Sequence, residues 1–128
     1  MTPGPEIAPR KSLASDRRGA VYVVVYGGRI YGGTRGTRYH DVIRLAGLSD
    51  LAAGAHEGFP QYTTEELLRM DPEIIVTRVG MAEAICRQPG LEGLRACPAG
   101  VVEIDEAVLE DPGLGMIDAA LLLRAATR

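Results

Sequence analysis

The segment Tyr62-Thr63-Thr64-Glu65-Glu66-Leu67-Leu68-Arg69-Met70-Asp71-Pro72-Glu73-Ile74-Ile75-Val76 constrains this chain more than any other, because it dictates a helix start, a helix stop and a strand in succession. Thr63 is placed to accept from the first free backbone N–H groups while Glu66 reaches back three residues, the reciprocal arrangement of a capping box. Asp71-Pro72 ends the helix, since proline offers no N–H to the ladder and crowds the residue before it. The β-branched run Ile74-Ile75-Val76 then suits a strand covered on both faces, as in a parallel sheet.

The same reading extends along the chain. Residues 1–19 are rich in Pro, Gly, Ser, Lys and Arg without periodicity and predict a disordered leader or linker remnant, leaving 20–128 as one domain. Val21 to Tyr26, stopped by Gly27-Gly28, predicts a central strand. Arg29 to Gly36, with three glycines, predicts a loop. Thr37 is a candidate N-cap for a helix carrying Val42, Ile43, Leu45 and Ala46 and ended by Gly47. Expected next are a short strand over Leu51–Ala53, a loop from Gly54 to Gln61, the helix Thr64–Met70 and the strand Glu73–Thr77. A helix over Met81–Arg87, a helical turn over Leu91–Arg95 and a strand over Val101–Asp105 follow. In a last helix, Leu114–Ala126, the residues Met116, Ile117, Ala120, Leu121, Leu122 and Leu123 make much of the circumference apolar, as packing against a sheet requires.

Strands alternating with helices predict an α/β fold of three layers, a mostly parallel sheet with helices on both faces. In such sheets ligands gather beyond the carboxyl ends of the strands. The loops Gly27–Gly36 and Gly54–Gln61 and the segment after Ile104 are therefore the places to look.

Composition narrows the function. The 128 residues are 46% apolar and 24% charged, and the net charge of −3 gives no electrostatic footprint for nucleic acid. No apolar run reaches the ~20 residues of a membrane-spanning helix. The glycines Gly27, Gly28, Gly32 and Gly33 lack dinucleotide-site spacing and the phosphate-loop lysine, and no Ser-His-Asp or Cys-His set can be assembled. The chain reads as a non-enzyme. His40 and His56 have no partner at metal-ligand spacing, so no metal site is expected.

The capped segment and its flanks resemble the second lobe of the periplasmic binding proteins of ABC importers for cobalamin, haem and iron siderophores. That family carries T/S-x-E-x-L-L-x-x-D-P-D/E at this point. Upstream, Tyr39 to Asp50 is similar to its helix followed by G-G-x-N; downstream, Pro89 to Ala96 is similar to its turn before a strand ending in aspartate. Pro112-Gly113-Leu114-Gly115-Met116 is similar to its P-G-P-R lead into the last helix. The matches run in family order over about residues 20 to 128.

The resemblance implies one carboxyl-terminal lobe, supplying half of a ligand cleft, from an exported parent protein that works with an importer permease. The start, Met1-Thr2-Pro3-Gly4-Pro5-Glu6, lacks an export signal, which points to an excised lobe or an intracellular relative, the excised lobe being favoured. Its partners would be the permease, a large metal chelate and the missing amino-terminal lobe, with homodimerisation of a lone lobe as a further expectation. Cobalamin, haem or a ferric siderophore would be ligand, not resident cofactor. In an exported protein Cys86 and Cys97 could form a bridge; otherwise they are two small apolar side chains that stay reduced.

Five residues are candidates. Glu65 lies in a first helical turn, where the dipole favours a carboxylate, and by the resemblance is the glutamate that docks onto permease arginines. Tyr31 and Arg35 lie in a segment that mixes aromatic rings (Tyr26, Tyr39) with guanidinium donors (Arg29), suited to a flat or anionic ligand. Tyr31 and Phe59 match aromatic ligand contacts of the relatives, and Asp105 matches a ligand-touching aspartate. Glu106-Ala107 follows Asp105 where the cobalamin-binding relatives carry aromatics. The alternative reading is a small intracellular α/β enzyme or phosphate-binding module using the Gly27–Gly36 loop.

Overall fold

In β1 (Gly19–Tyr26) alternation sends Ala20, Tyr22 and Val24 to one face and Val21, Val23 and Val25 to the other, and the residues from Ala20 to Val24 are all buried. The computed structural model describes residues 18–111 and 113–128. The predicted leader lies outside the described residues up to position 17, as does Pro112; Gly19 already belongs to the sheet.

Gly27 and Gly28, with φ of 57° and 76°, form the two-residue turn that sends the chain straight back as β2 (Arg29–Gly33). The register runs from Tyr26 opposite Arg29 to Tyr22 opposite Gly33. The expectation of a loop over Arg29–Gly36 is therefore corrected. Gly32 and Gly33 are strand residues where rings occupy the space of side chains, a Cβ on Gly32 colliding with Tyr62 and one on Gly33 standing 2.5 Å from the Tyr39 ring, while Gly36 stays in a turn at φ 85°.

Helix α1 (Arg38–Leu45) buries Tyr39, Val42 and Ile43. Thr37 holds the N-cap position without capping, its hydroxyl donating instead to the Thr34 carbonyl at 2.8 Å. The predicted strand at Leu51–Ala53 lies two residues earlier, as β3 (Ser49–Asp50) parallel to β1. Asp50 then accepts from Ala52 N at 3.2 Å and curls Leu51–Gly54 into a 3-10 turn. After β4 (Gln61–Tyr62) comes α2 (Thr64–Met70), with both bonds of the predicted capping box in place. The helix stops at Asp71 in the left-handed region, φ 44°, whose carbonyl accepts two bonds from Arg95 at 3.0 and 3.2 Å.

The strand β5 (Ile74–Arg78) lies between β1 and β6 (Val101–Ile104), parallel to both. Between them, α3 (Ala82–Cys86) is followed by turns where a helical turn over Leu91–Arg95 was predicted. Leu91 and Leu94 are buried there, and Cys86 and Cys97 form a disulfide with Cα atoms 5.6 Å apart. Asp105, predicted as the last strand residue, instead caps α4 (Glu106–Glu110), a helix the sequence did not reveal. The last helix, α5 (Leu114–Ala126), turns Gly115, Ala119, Ala120 and Leu123 inward and leaves Ile117, Leu121 and Leu122 exposed.

The sheet order is β4-β2-β1-β5-β6 with β3 beside β1, and β2 alone runs against the others. One face packs on α1, α4 and α5 through Val42, Ile43, Leu109, Ala119 and Leu123. The other packs on α2 and α3 through Leu67 and Ile85. This is the expected three-layer α/β arrangement.

Candidate functional site: an aromatic and arginine edge

Parallel strands β1, β5 and β6 end side by side, so Tyr26, Arg78 and Asp105 come to one edge of the sheet. Arg78 organises that edge. Its Nε donates to Tyr22 Oη at 3.1 Å and its Nη1 to Tyr26 Oη at 2.5 Å. It also pairs with Glu106 at 3.0 Å and Glu110 at 3.4 Å, tying α4 to the strand ends. Burial, the largest single influence, disfavours its charge, but the surrounding tyrosines, Tyr22 first and then Tyr39 and Tyr26, together outweigh it and hold the guanidinium's pKa above its ordinary value.

Aromatic rings continue from there along the α1 face. Tyr22 and Tyr39 stack with centroids 3.8 Å apart and planes 1° from parallel, and Phe59 meets Tyr39 edge-on at 6.2 Å. Tyr39 Oη donates to Glu110 at 2.5 Å; burial first, then that carboxylate, raise the phenol's pKa. Arg38 donates to the Glu110 carbonyl, a second link between α1 and α4. Tyr31, opposite Val24 across the β1–β2 pair, is half-buried against the same cluster.

The predicted residues fall into three groups. Phe59 ends the aromatic array, 70% exposed, and Tyr31 packs against the core cluster on the same face of the sheet. Asp105 is exposed at the α4 end of the edge, one carboxylate oxygen accepting from Ala107 N at 2.8 Å. Arg35 is exposed beside the Phe59 loop, its Nε donating to the His56 carbonyl at 3.3 Å and its own carbonyl accepting from Gly58 N. Glu65 stands apart. It is exposed in the first turn of α2, the helix that packs on the other face of the sheet.

Sequence reasoning missed Arg78, Glu106 and Glu110. A signal for Arg78 was present: a charged residue directly after Ile74-Ile75-Val76-Thr77, at the carboxyl end of an interior strand. The two glutamates lie on a five-residue helix too short to show a period. The histidines are not bare surface groups. His40 Nδ1 meets Asp50 Oδ2 at 2.8 Å, where Thr34 also donates at 2.7 Å, and His56 Nε2 meets Glu66 Oε2 at 2.6 Å. Among the described residues no three His, Cys, Asp or Glu side chains stand close enough to hold a metal ion.

Most of the stretch proposed for an alternative phosphate loop is strand: Gly32 N and Thr34 N donate to the Pro60 and Gly58 carbonyls, and β2 pairs with β1, so the glycines Gly32 and Gly33 serve the sheet. Hollows of about 450 Å³ beside Leu45 and Met116 and about 320 Å³ between Arg18, Leu48, Arg124 and Arg128 lie off the edge, and one of about 290 Å³ lies by Arg38 and Asp111, near its α1–α4 link. The ring array and Arg78 line none of these three, and Tyr26 and Phe59 stand 47% and 70% exposed, so the edge presents an open wall.

No protein-family profile and no curated protein matches the sequence. Solved structures do match. The periplasmic heme-binding protein HutB of Vibrio cholerae is 19% identical with a TM-score of 0.74, over 94% of this chain and 53% of its own. An ABC-type Fe3+-hydroxamate transport protein from Saccharomonospora viridis gives 19% and 0.75, over 94% and 47%. The periplasmic vitamin B12 binding protein BtuF of Vibrio cholerae gives 21% and 0.70, over 94% and 48%. Each is described as a binding or transport protein. Almost the whole of this chain lies on about half the length of each, so the chain has the fold of periplasmic binding proteins over about half of their length.

Proposed function

We propose that this chain is one lobe, residues 20–128, of the substrate-binding component of an ABC importer for a large metal chelate: cobalamin, haem or a ferric siderophore. The observation that carries this reading is the open aromatic wall at the carboxyl edge of a sheet with the binding-protein fold. A half-cleft should look like this, since the ligand is enclosed only when a second lobe supplies the facing wall. Tyr31 and Phe59 supply apolar area, Arg35 and Asp105 supply polar contacts at the rim, and Glu65 docks the permease from its separate face. The parent protein works outside the cytoplasm, a setting in which the Cys86–Cys97 bridge persists.

Titrating hemin, cyanocobalamin and a ferric hydroxamate into the chain, followed by chelate absorbance and by calorimetry, tests this. One chelate is expected to bind saturably but weakly, and Phe59→Ala should weaken it by roughly tenfold, as loss of an aromatic contact does. No saturable binding of any of the three, or binding indifferent to both Phe59→Ala and Tyr31→Ala, would overturn the assignment.

A further inference from the structure

Arg18 stands directly before β1, Leu48 before β3, Glu73 before β5 and Gly100 before β6, at the end of the sheet opposite Tyr26 and Arg78. There Arg18, Arg124 and Arg128 line a hollow of about 320 Å³, and Arg18 and Arg128 also line a second, of about 130 Å³, beside Glu73 and Gly100. The other walls of the first are the end of α1, from Ala46 to Leu48, and Thr127 after α5, so it gathers three guanidinium groups and no acidic side chain among the described residues. Ion pairs of the described arginines belong to Arg78, Arg87 and Arg95, and their side-chain hydrogen bonds to Arg35, Arg38, Arg78 and Arg95. Arg18, Arg124 and Arg128 have neither within the described residues. In a chain of net charge −3 they form a local concentration of unspent positive charge.

Helix ends alone do not account for these arginines. Cations suit the carboxyl ends of helices, but the last carbonyls of α1 and α5 are already bonded. The Val42, Ile43 and Arg44 carbonyls accept from Ala46, Leu48 and Gly47 N–H, and those of Leu123 and Arg124 accept from the Thr127 hydroxyl. Glu73 lines only the second hollow and is shared with Arg95 at 3.9 Å. Arg18 is anchored, its carbonyl accepting from Ser49 N at 2.9 Å, so strand and helix present the guanidinium groups from fixed backbone. Each guanidinium is a planar fork of N–H donors. One fork satisfies the two oxygens of a carboxylate, whereas three around a single hollow suit an anion with several oxygens and more than one charge. We propose that this hollow is a second binding site, for a phosphoryl oxyanion of the diphosphate kind. It lies at the far ends of the strands from the ligand wall and does not rest on the function proposed above. The bound anion ties the start of β1 to the end of α5.

Titrating inorganic pyrophosphate into the chain, followed by calorimetry and by the phosphorus resonance of the anion, tests this. A parallel arm uses phosphatidylcholine vesicles with and without phosphatidylglycerol, scored by co-sedimentation. One pyrophosphate per chain is expected to bind saturably, more weakly as salt is added, and to raise the melting temperature. Arg124→Gln with Arg128→Gln should weaken it by roughly tenfold, as loss of charge-assisted bonds does, and adding Arg18→Gln should abolish it. Arg87→Gln, at an exposed arginine outside the hollow, should leave it unchanged. Because the three side chains make no bond within the described residues, the unliganded variants should melt with the parent, which separates lost binding from lost fold. Capture by phosphatidylglycerol vesicles that disappears in the triple variant, without pyrophosphate binding, would assign the phosphoryl group to a lipid headgroup. Neither binding nor capture, or either one persisting in the triple variant or falling equally in Arg87→Gln, would overturn the site. No chelate enters these measurements, so they stand or fail separately from the chelate titrations.

Discussion

Gly100 shows how little room single positions leave. A Cβ there would press into the Glu73 carbonyl, which no side-chain adjustment relieves, whereas Gly93 faces open space. Gly100→Ala is therefore expected to cost about 1–3 kcal/mol in urea unfolding and Gly93→Ala close to nothing. Thr63→Ala, which removes the acceptor of the Glu66 N–H at 3.0 Å, should cost about 1 kcal/mol. Glu66 adds a pH signature. The hydrogen bonds from His56 and then Thr63 N hold its folded pKa below the ordinary glutamate value, so its contribution is fully present above that ordinary value and is lost as the pH falls through the folded one. Glu66→Gln should flatten that part of the acid limb in unfolding measured from pH 6 down to 3.

Elements depend on contacts that short stretches of sequence do not display. The turns from Arg87 to Gly100 have no regular structure and are pinned by buried Leu91 and Leu94 and by the Cys86–Cys97 bridge. Closing a loop of this length is worth about 3 kcal/mol, so Cys86→Ser with Cys97→Ser should lower the unfolding free energy by about that amount and leave β5 and α2 intact by amide exchange. The elements legible beforehand were those whose signals are local: β1 from its β-branched run, α2 from its capping box and Asp-Pro stop, α5 from its apolar length. The glycine-rich β2 was not legible, because the reason for its glycines is the Tyr39 and Tyr62 rings, brought in from outside the hairpin. For α5 the apolar length was visible but the inward face was not. The close approach to the sheet selects Gly115, Ala119 and Ala120, and the bulkier Ile117, Leu121 and Leu122 stay outside.

Across the whole molecule, the sheet separates two surfaces that the proposed function uses differently. Tyr31 and Phe59 belong to the α1 face and Glu65 to α2 on the opposite face, with β1 and β5 between them. Tyr31, Phe59 and Asp105 were singled out by the resemblance and by the expectation that loops gather at strand ends; Phe59 lies in a loop and Asp105 directly after β6, whereas Tyr31 lies inside β2. Arg78 was not, because its role appears only when β5 brings it beside Tyr22, Tyr26 and a helix over a score of residues downstream. Separated surfaces predict separable losses. Glu65 is exposed and outside both the capping box and the aromatic array, so Glu65→Ala should lower stability by no more than about 0.5 kcal/mol, its share of the helix dipole, and leave chelate binding unchanged. In the two-lobed parent protein the same change should weaken capture by permease-bearing proteoliposomes, scored by co-sedimentation at low salt. Phe59→Ala should do the reverse, sparing capture and weakening the chelate. A Glu65→Ala protein that lost chelate binding, or a Phe59→Ala protein that lost capture alone, would show that the two faces do not divide the work as their positions across the sheet require.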